Sequence, residues 1–351
     1  MREADWKRAE DLDRTRQGEE FDSLFWRPVQ AYFERDTAAQ AAFERSVVEA
    51  RDSSGLRGAT YAAFVIHDLG AIRRLVDLAG SAVWPERFRD VAGRNERYAA
   101  LMGGRWNTED GGACPAADPE RMGVVVCALL PFLPPSDEAL EALRERAARW
   151  DSVPPAPGDR PAEENPDSAL MAHGRLYVLG SIDAALGRAE AALEAAERLE
   201  RLPTIPRWEP TVRALANTIR GQVALRQGRP EEALEVLPDG PGVFPPELVN
   251  HPLFAREIER LWRGEALYAA GRDAEALSWF ENALAWSFHE SIYDPFVTLR
   301  RAELLDRLGR AEEAAEAYAR FLQMWPDPDP GLRPLVEDAR QRLATLRSER
   351  T

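Results

Sequence analysis

Four stretches of the chain carry the same glycine–arginine pair between two helical patterns. The glycines are Gly187, Gly228, Gly271 and Gly309, and they recur roughly every 40 residues. Glycine ends a helix readily because it accepts the left-handed conformation at that point. The acidic residues that follow each pair suit the first turn of the next helix. The pattern therefore predicts repeated helical hairpins, which must stack because one hairpin cannot bury its own apolar face.

The second helix of each hairpin has a small residue followed four positions later by a bulky one. Ala276 precedes Phe280 in one hairpin, and Ala314 precedes Tyr318 in the next. Residues four apart share a helix face, so the small residue allows close approach and the bulky one fills the space between helices. Apolar residues recur three and four positions apart over most of the chain, and alternating patterns are scarce. We therefore predict an all-α fold.

These hairpins resemble tetratricopeptide repeats over roughly residues 167–346. In the last hairpin Ala302, Ala314, Tyr318 and Pro326 stand at positions typical of that family. The early tryptophan and leucine of the family are missing, and the usual period of about 34 residues is exceeded. The resemblance implies a divergent α-solenoid of antiparallel helix pairs, wound into a right-handed superhelix.

Proline divides the chain into two predicted regions. Residues 152–166 form a proline-rich linker that cannot continue a helix. Residues 167–351 contain the repeats and end in a capping helix, and residues 1–151 form an N-terminal helical region. Helices in that region are predicted at 27–51, 56–67, 70–80, 86–102, 121–131 and 136–150. It is interpreted as decayed repeats, with His67 where a turn glycine would stand and a second turn at 103–106.

Composition excludes several classes of function. The net charge is −15 and the hydrophobic fraction is 45%, so the chain can bury a core but lacks the basic stripe that nucleic acids require. Lys7 is the one lysine, and no glycine loop precedes it. A phosphate-binding loop, a kinase lysine and a Schiff-base lysine are therefore excluded.

The two cysteines and the apolar runs indicate a cytoplasmic protein. Cys114 and Cys127 do not form a Cys-x-x-Cys motif, so a zinc ribbon or a thioredoxin-like site is not expected. Cys127 lies in the apolar run at 123–133 and is interpreted as buried and inert. That run is too short to span a bilayer, and the charged N-terminus does not resemble a secretory signal. We expect free thiols and no membrane partner.

No catalytic, cofactor or metal motif is present. The histidines His67, His173, His251 and His289 form no metal-binding pair, and the chain has neither a Gly-x-Ser-x-Gly elbow nor a dinucleotide loop after a strand. We expect no cofactor and no enzymatic activity. A site assembled from distant histidines, in an uncharacterised helical enzyme, stays open as an alternative.

The resemblance implies that the first helix of each pair lines a groove for a protein or peptide. The positions that would face it are Thr218, Gln222, Arg226, Leu261, Glu265, Tyr268, Leu299, Arg300, Glu303 and Asp306. Glutamine and glutamate stand where one subset of the family places residues that clamp a carboxylate. A mixed or acidic groove favours a basic or amphipathic partner. The tryptophans are interpreted either as core packing or as anchors in this groove.

We therefore expect a non-catalytic scaffold that binds a protein or peptide. The general helical pattern of the sequence, rather than a specific motif, also resembles the helical C-terminal regions that follow kinase or winged-helix modules in large bacterial signalling proteins. No such module is present in this sequence. A regulatory or sensor region of a bacterial signalling system is accordingly the alternative function.

Overall fold

The structure is a computed structural model that describes residues 26–50, 53–81, 84, 86–105, 136–149, 170–239, 257–282 and 291–349. Regular secondary structure in these residues is entirely helical, which confirms the predicted all-α fold. The chain divides into two compact units. The first comprises Met1–Gly104 with Glu290–Tyr293, and the second comprises Arg105–His289 with Asp294–Thr351.

Five helices are described in the first unit. They are α1 (Trp26–Phe33), α2 (Thr37–Ala50), α3 (Ser53–Val65), α4 (Leu69–Gly80) and α5 (Glu86–Met102). Helix α1 packs against α2 and α3, α3 packs against α4, and α4 packs against α5. The last three helices lie within a few residues of the predicted ranges 56–67, 70–80 and 86–102.

The prediction of one helix over 27–51 was wrong, because Arg35 breaks it. Arg35 adopts a left-handed conformation with φ 54°, and Asp36 then caps α2 by accepting hydrogen bonds from the backbone N–H groups of Ala38 and Ala39, each at 3.0 Å. His67 is left-handed as well, with φ 58°. Its conformation is the one expected of a glycine, so the turn predicted there is confirmed.

The second unit consists mainly of helix pairs. Its described helices are α6 (Asp137–Ala148), α7 (Met171–Ala185), α8 (Ala189–Arg201), α9 (Glu209–Arg226), α10 (Pro230–Val236), α11 (Glu257–Ala269), α12 (Asp273–Asn282), α13 (Asp294–Arg307), α14 (Ala311–Met324) and α15 (Arg333–Ser348), the last after a 3-10 turn at Pro330–Leu332. Helix α7 packs on α8 and α9, and α9 packs on α10 and α11. A first helix therefore contacts both its own second helix and the first helix of the next pair.

The four predicted glycine turns have one geometry. Gly187, Gly228, Gly271 and Gly309 have φ between +70° and +74°. In each turn the following arginine donates its backbone N–H to the carbonyl five residues earlier, at 2.8–3.0 Å. This pattern satisfies carbonyls at the end of the first helix. The next helix begins two residues after the glycine in all four pairs.

Small residues on the first helices allow the second helices to approach closely. A Cβ atom at Gly264 would lie 2.4 Å from the ring of Phe280, and one at Gly221 would lie 2.8 Å from Leu237. Ala276 is fully buried at the same interface. The bulky residue of the second helix therefore fills space that a larger first-helix residue would occupy.

The predicted boundary at 152–166 lies outside the described residues, as do the helix predicted at 121–131, both cysteines, His251 and His289. The domain division stays a prediction. Helix α6, which precedes the predicted linker, packs against α7, which follows it. Arg144 of α6 donates to both carboxylate oxygens of the buried Asp183, at 2.6 and 3.0 Å. Helix α6 therefore packs against α7, the first helix of the first repeat pair.

Candidate functional site

The ten predicted groove residues fall into two sets by burial. Thr218, Gln222, Leu261 and Leu299 are buried inside the helix packing, each with at most 2% of its surface exposed. The other six keep some exposure and form what we name the first-helix surface: Arg226, Glu265, Tyr268, Arg300, Glu303 and Asp306. They lie on the first helices α9, α11 and α13. Whether they contact a partner stays a prediction.

Arg300 joins two of the three carboxylates of this surface. It donates to both oxygens of Glu265, at 2.7 and 2.9 Å, and to Glu303 at 2.7 Å. Glu265 is on α11 and Arg300 on α13, so the bidentate pair crosses between consecutive first helices. All three side chains are no more than one quarter exposed. The acidic groove inferred from Glu265 and Glu303 is therefore largely neutralised by Arg300.

Aromatic rings contact Arg300 of this surface and the neighbouring Arg307. The guanidinium carbon of Arg300 lies 4.5 Å from the ring centre of Tyr268 and 4.8 Å from that of Phe296. The guanidinium carbon of Arg307 lies 3.9 Å from the ring centre of the same Tyr268. Arg307 also donates a hydrogen bond to Asp273 at 3.2 Å. A guanidinium held on an aromatic face keeps a fixed orientation. These contacts fix the positions of the charges on α11 and α13.

Asp306 extends the pairing to the last helix. It accepts two hydrogen bonds from Arg342 of α15, the one from Nη2 at 2.6 Å. Arg342 was not among the predicted residues. The signal that could have found it is spacing, because Arg342 follows Asp306 by 36 residues and Arg300 follows Glu265 by 35. An acid and an arginine one repeat apart stand on neighbouring first helices.

Arg226 differs from Arg300, the other arginine of this surface. Its guanidinium carbon lies 5.7 Å from the ring centre of Trp262 on α11. In the described part of the chain no carboxylate pairs with it. Burial lowers the pKa of its guanidinium, and no acidic group among the described residues opposes that shift. Arg226 therefore carries a positive charge that no carboxylate of the described residues neutralises.

The ionisable groups of the surface suit binding more than proton transfer. Burial raises the pKa of Glu265, and the adjacent Arg300 opposes that shift. Burial and the nearby Glu303 raise the pKa of Tyr268 to about 12, so its hydroxyl stays protonated near neutral pH. The fixed arrangement can recognise charge and hydrogen-bonding groups on another molecule.

Most described tryptophans are part of the core. Trp84, Trp208, Trp262 and Trp325 are at most 4% exposed. The half-buried Trp279 donates its Nε1–H to the carbonyl of Arg260 at 2.8 Å. Packing between helices, the first of the two interpretations, accounts for these five side chains. Trp262 also contacts the guanidinium of Arg226, so its ring belongs both to the core and to the base of the first-helix surface.

Other candidate sites are limited to what the described residues show. His173 lies on α7 and is 2% exposed, and burial lowers its pKa. Among the described residues, no group of three or more histidine, cysteine, aspartate or glutamate side chains is arranged to hold a metal ion. None of the described helices is long and apolar enough to cross a membrane.

Antiparallel helix pairs joined by left-handed glycine turns, with first helices in contact from pair to pair, define the class of helical repeat proteins. Within that class, residues 177–238 match the family model described as "Tetratricopeptide repeat", which supports the predicted resemblance to a divergent member of that family. The matched segment runs from α7 to the end of α10 and contains Gly187 and Gly228. Neither the curated proteins nor the solved structures gave a match.

Proposed function

We propose that this protein is a non-catalytic scaffold that binds a protein or peptide on its first-helix surface. The observation that carries the proposal is the continuity of that surface. Side-chain contacts connect α9 to α11 through Arg226 and Trp262, and α11 to α13 through Arg300 and Glu265. Rigid, charge-bearing side chains on consecutive helices present a pre-organised binding site, which lowers the entropic cost of association.

The family match supports the same function, because stacked tetratricopeptide repeats expose an extended surface for other proteins. The exposed large apolar side chains among the described residues are Tyr61, Leu193 and Leu308, and none belongs to the first-helix surface. Recognition through charge and hydrogen bonding therefore fits this surface better than burial of a large apolar patch.

Affinity capture from the native lysate with paired charge exchanges tests this function. One variant carries Glu303→Lys and Arg307→Glu on the first helix α13. Its matched control carries Glu316→Lys and Arg320→Glu on the second helix α14, with the same spacing and the same net charge. We expect the α13 exchange to lose the proteins that the unmodified chain captures and the α14 exchange to retain them. Far-UV circular dichroism checks that both variants stay helical.

Equal capture by the two variants would show that the first-helix surface is not the binding site. Loss of capture by the α14 exchange alone would move the binding site to the second helices.

A further inference from the structure

Helix α6 contacts the first repeat pair through four alternating charges. Arg144 of α6 donates to both carboxylate oxygens of Asp183 on α7, at 2.6 and 3.0 Å. Arg188, which follows Gly187 in the turn after α7, donates to both oxygens of Glu141 on α6, one of them at 3.2 Å. The Nη1 atom of Arg188 also lies 3.7 Å from Asp183. Two arginine–carboxylate pairs, with one arginine on each side, therefore join α6 to α7 and its turn.

Arg188 differs from the arginines at the other three glycine turns. Arg229, Arg272 and Arg310 each pair with a glutamate three residues further on, in the first turn of the following second helix. Ala191 stands at that position after Arg188, so the sequence offers no local glutamate there. Arg188 pairs with α6 instead, and the difference in sequence agrees with the difference in contact.

Apolar packing contributes less to α6 than to the last helix, α15. Among the α6 side chains that the structure describes, Leu140 and Ala147 are buried. Helix α15 buries four apolar side chains, which are Val336, Ala339, Leu343 and Leu346. The stabilisation from burial follows the apolar area removed from water. Helix α6 therefore depends more on its charge pairs than α15 does.

The charges that hold α6 are accessible to dissolved ions. The side chains of Arg188 and Glu141 are each 44% exposed, and that of Arg144 is 36% exposed. Salt screens the attraction between exposed charges, whereas it does not weaken buried apolar contacts in the same way. The contact between α6 and the first repeat pair should therefore weaken with ionic strength before the contacts between the repeats do.

We propose that α6 is an electrostatic latch on the first repeat pair, which opens as a unit when the ionic strength rises while the repeat helices stay folded. Opening frees the side of α7 that α6 covers, and with it the carboxylate of Asp183. An element held by few apolar contacts belongs to the least stable part of a fold, from which moving elements are drawn. The latch does not depend on the first-helix surface, which lies on α9, α11 and α13.

Hydrogen exchange of the full chain, measured by mass spectrometry at about 50 mM and about 1 M sodium chloride, tests the inference. A detached helix of 12 residues is only marginally stable in water, so opening exposes its amides. We expect the amides of α6 to exchange about tenfold faster at the higher salt concentration. Helix α8 is the internal reference and should keep its protection, because it buries Ala192, Ala195, Ala196 and Leu199.

Two matched pairs of substitutions separate the latch from the general effect of charge on the helix. Glu141→Gln and Arg144→Gln each remove one of the two pairs with the first repeat. Glu145→Gln and Arg149→Gln make the same changes in net charge at two exposed residues that pair with each other. We expect the first two variants to speed up α6 exchange at low salt by about fivefold and to depend less on salt. The second two should behave as the unmodified chain does.

Glu141→Gln is the decisive variant, because Arg144→Gln also leaves the buried Asp183 without its bidentate partner and can destabilise α7. Three outcomes would overturn the inference. These are α6 exchange that does not change with salt, loss of protection in α6 and α8 together at high salt, and equal acceleration in Glu141→Gln and Glu145→Gln. Faster exchange in α6 alone, at high salt and in Glu141→Gln, would support the latch.

Discussion

Arg300 illustrates how one side chain determines the charge of a surface. Its guanidinium donates to carboxylates on its own helix and on the preceding first helix, while two aromatic rings hold its plane. The sequence placed Arg300 and both glutamates among the surface candidates. It did not indicate that they neutralise each other, because the partners in the bidentate pair are 35 residues apart.

Replacing Arg300 should be strongly destabilising. Arg300→Gln leaves the largely buried Glu265 without its bidentate partner, and we expect a loss of about 3 kcal/mol in the free energy of unfolding. Urea denaturation measures the loss. Adding Glu265→Gln should restore part of it by removing the uncompensated charge.

Arg310→Gln is the control for that experiment, because Arg310, the residue before α14, pairs with the exposed Glu313 in the first turn of that helix. Its unfolding midpoint should stay nearly unchanged. A similar loss in both variants would show that the ion pair between α11 and α13 contributes no more to the free energy of unfolding than an exposed pair does.

His173 makes stability depend on pH. Burial lowers its pKa from the ordinary value of 6.5, so the unfolded chain binds a proton more readily than the folded chain does. The contribution of the neutral side chain is complete above pH 6.5 and is lost as the pH falls towards the lower pKa of the folded state. We expect His173→Asn to reduce the fall in unfolding free energy between pH 7.5 and pH 5.5. An unchanged pH dependence in this variant would contradict the assignment.

At the scale of the elements, the turns are the best-predicted features of the chain. Gly187, Gly228, Gly271 and Gly309 were identified from sequence alone, because a left-handed turn is a local property that glycine satisfies. Arg35 makes the same kind of turn without glycine, and the sequence pattern there continued as one helix. The break between α1 and α2 was missed because the hydrogen bonds to Asp36, rather than residue preference, select it.

The same substitution at two glycines should act in opposite directions. A Cβ atom at Gly271 or Gly93 would meet nothing within 4 Å, so steric contact is absent at both positions. Gly271 has φ +70°, and Gly271→Ala should destabilise the protein by about 1 kcal/mol. Gly93 lies inside helix α5, and Gly93→Ala should stabilise that helix by about 0.5–1 kcal/mol. Thermal unfolding of both variants checks the two signs, and equal signs would refute the argument from backbone conformation.

At the scale of the whole molecule, each helical hairpin is stabilised by contacts with the helices that precede and follow it. Helix α14 packs on α13 and α15, whereas α7 packs on α6, α8 and α9. In such an array each hairpin contributes its own stability and that of its interfaces, so damage at one end stays largely local.

A substitution in the last helix should therefore unfold that end first. Leu343 is buried in α15, and Leu343→Ala should cost about 2–3 kcal/mol at its own interface. Hydrogen exchange should speed up across α14 and α15 and stay unchanged across α7 and α9. Uniform loss of protection over all four helices would indicate one cooperative unit instead of a chain of neighbours.

The sequence by itself determined the helical class, the four glycine turns and the small residues at the helix contacts, because these follow from backbone conformation and the period of one helix. Only the tertiary structure decided which charges meet. Glu265 and Asp306 are paired by arginines about one repeat away, while Arg226 lies on Trp262 and pairs with no acid among the residues that the structure describes. Those pairings depend on how neighbouring hairpins align, and a linear pattern does not specify that alignment.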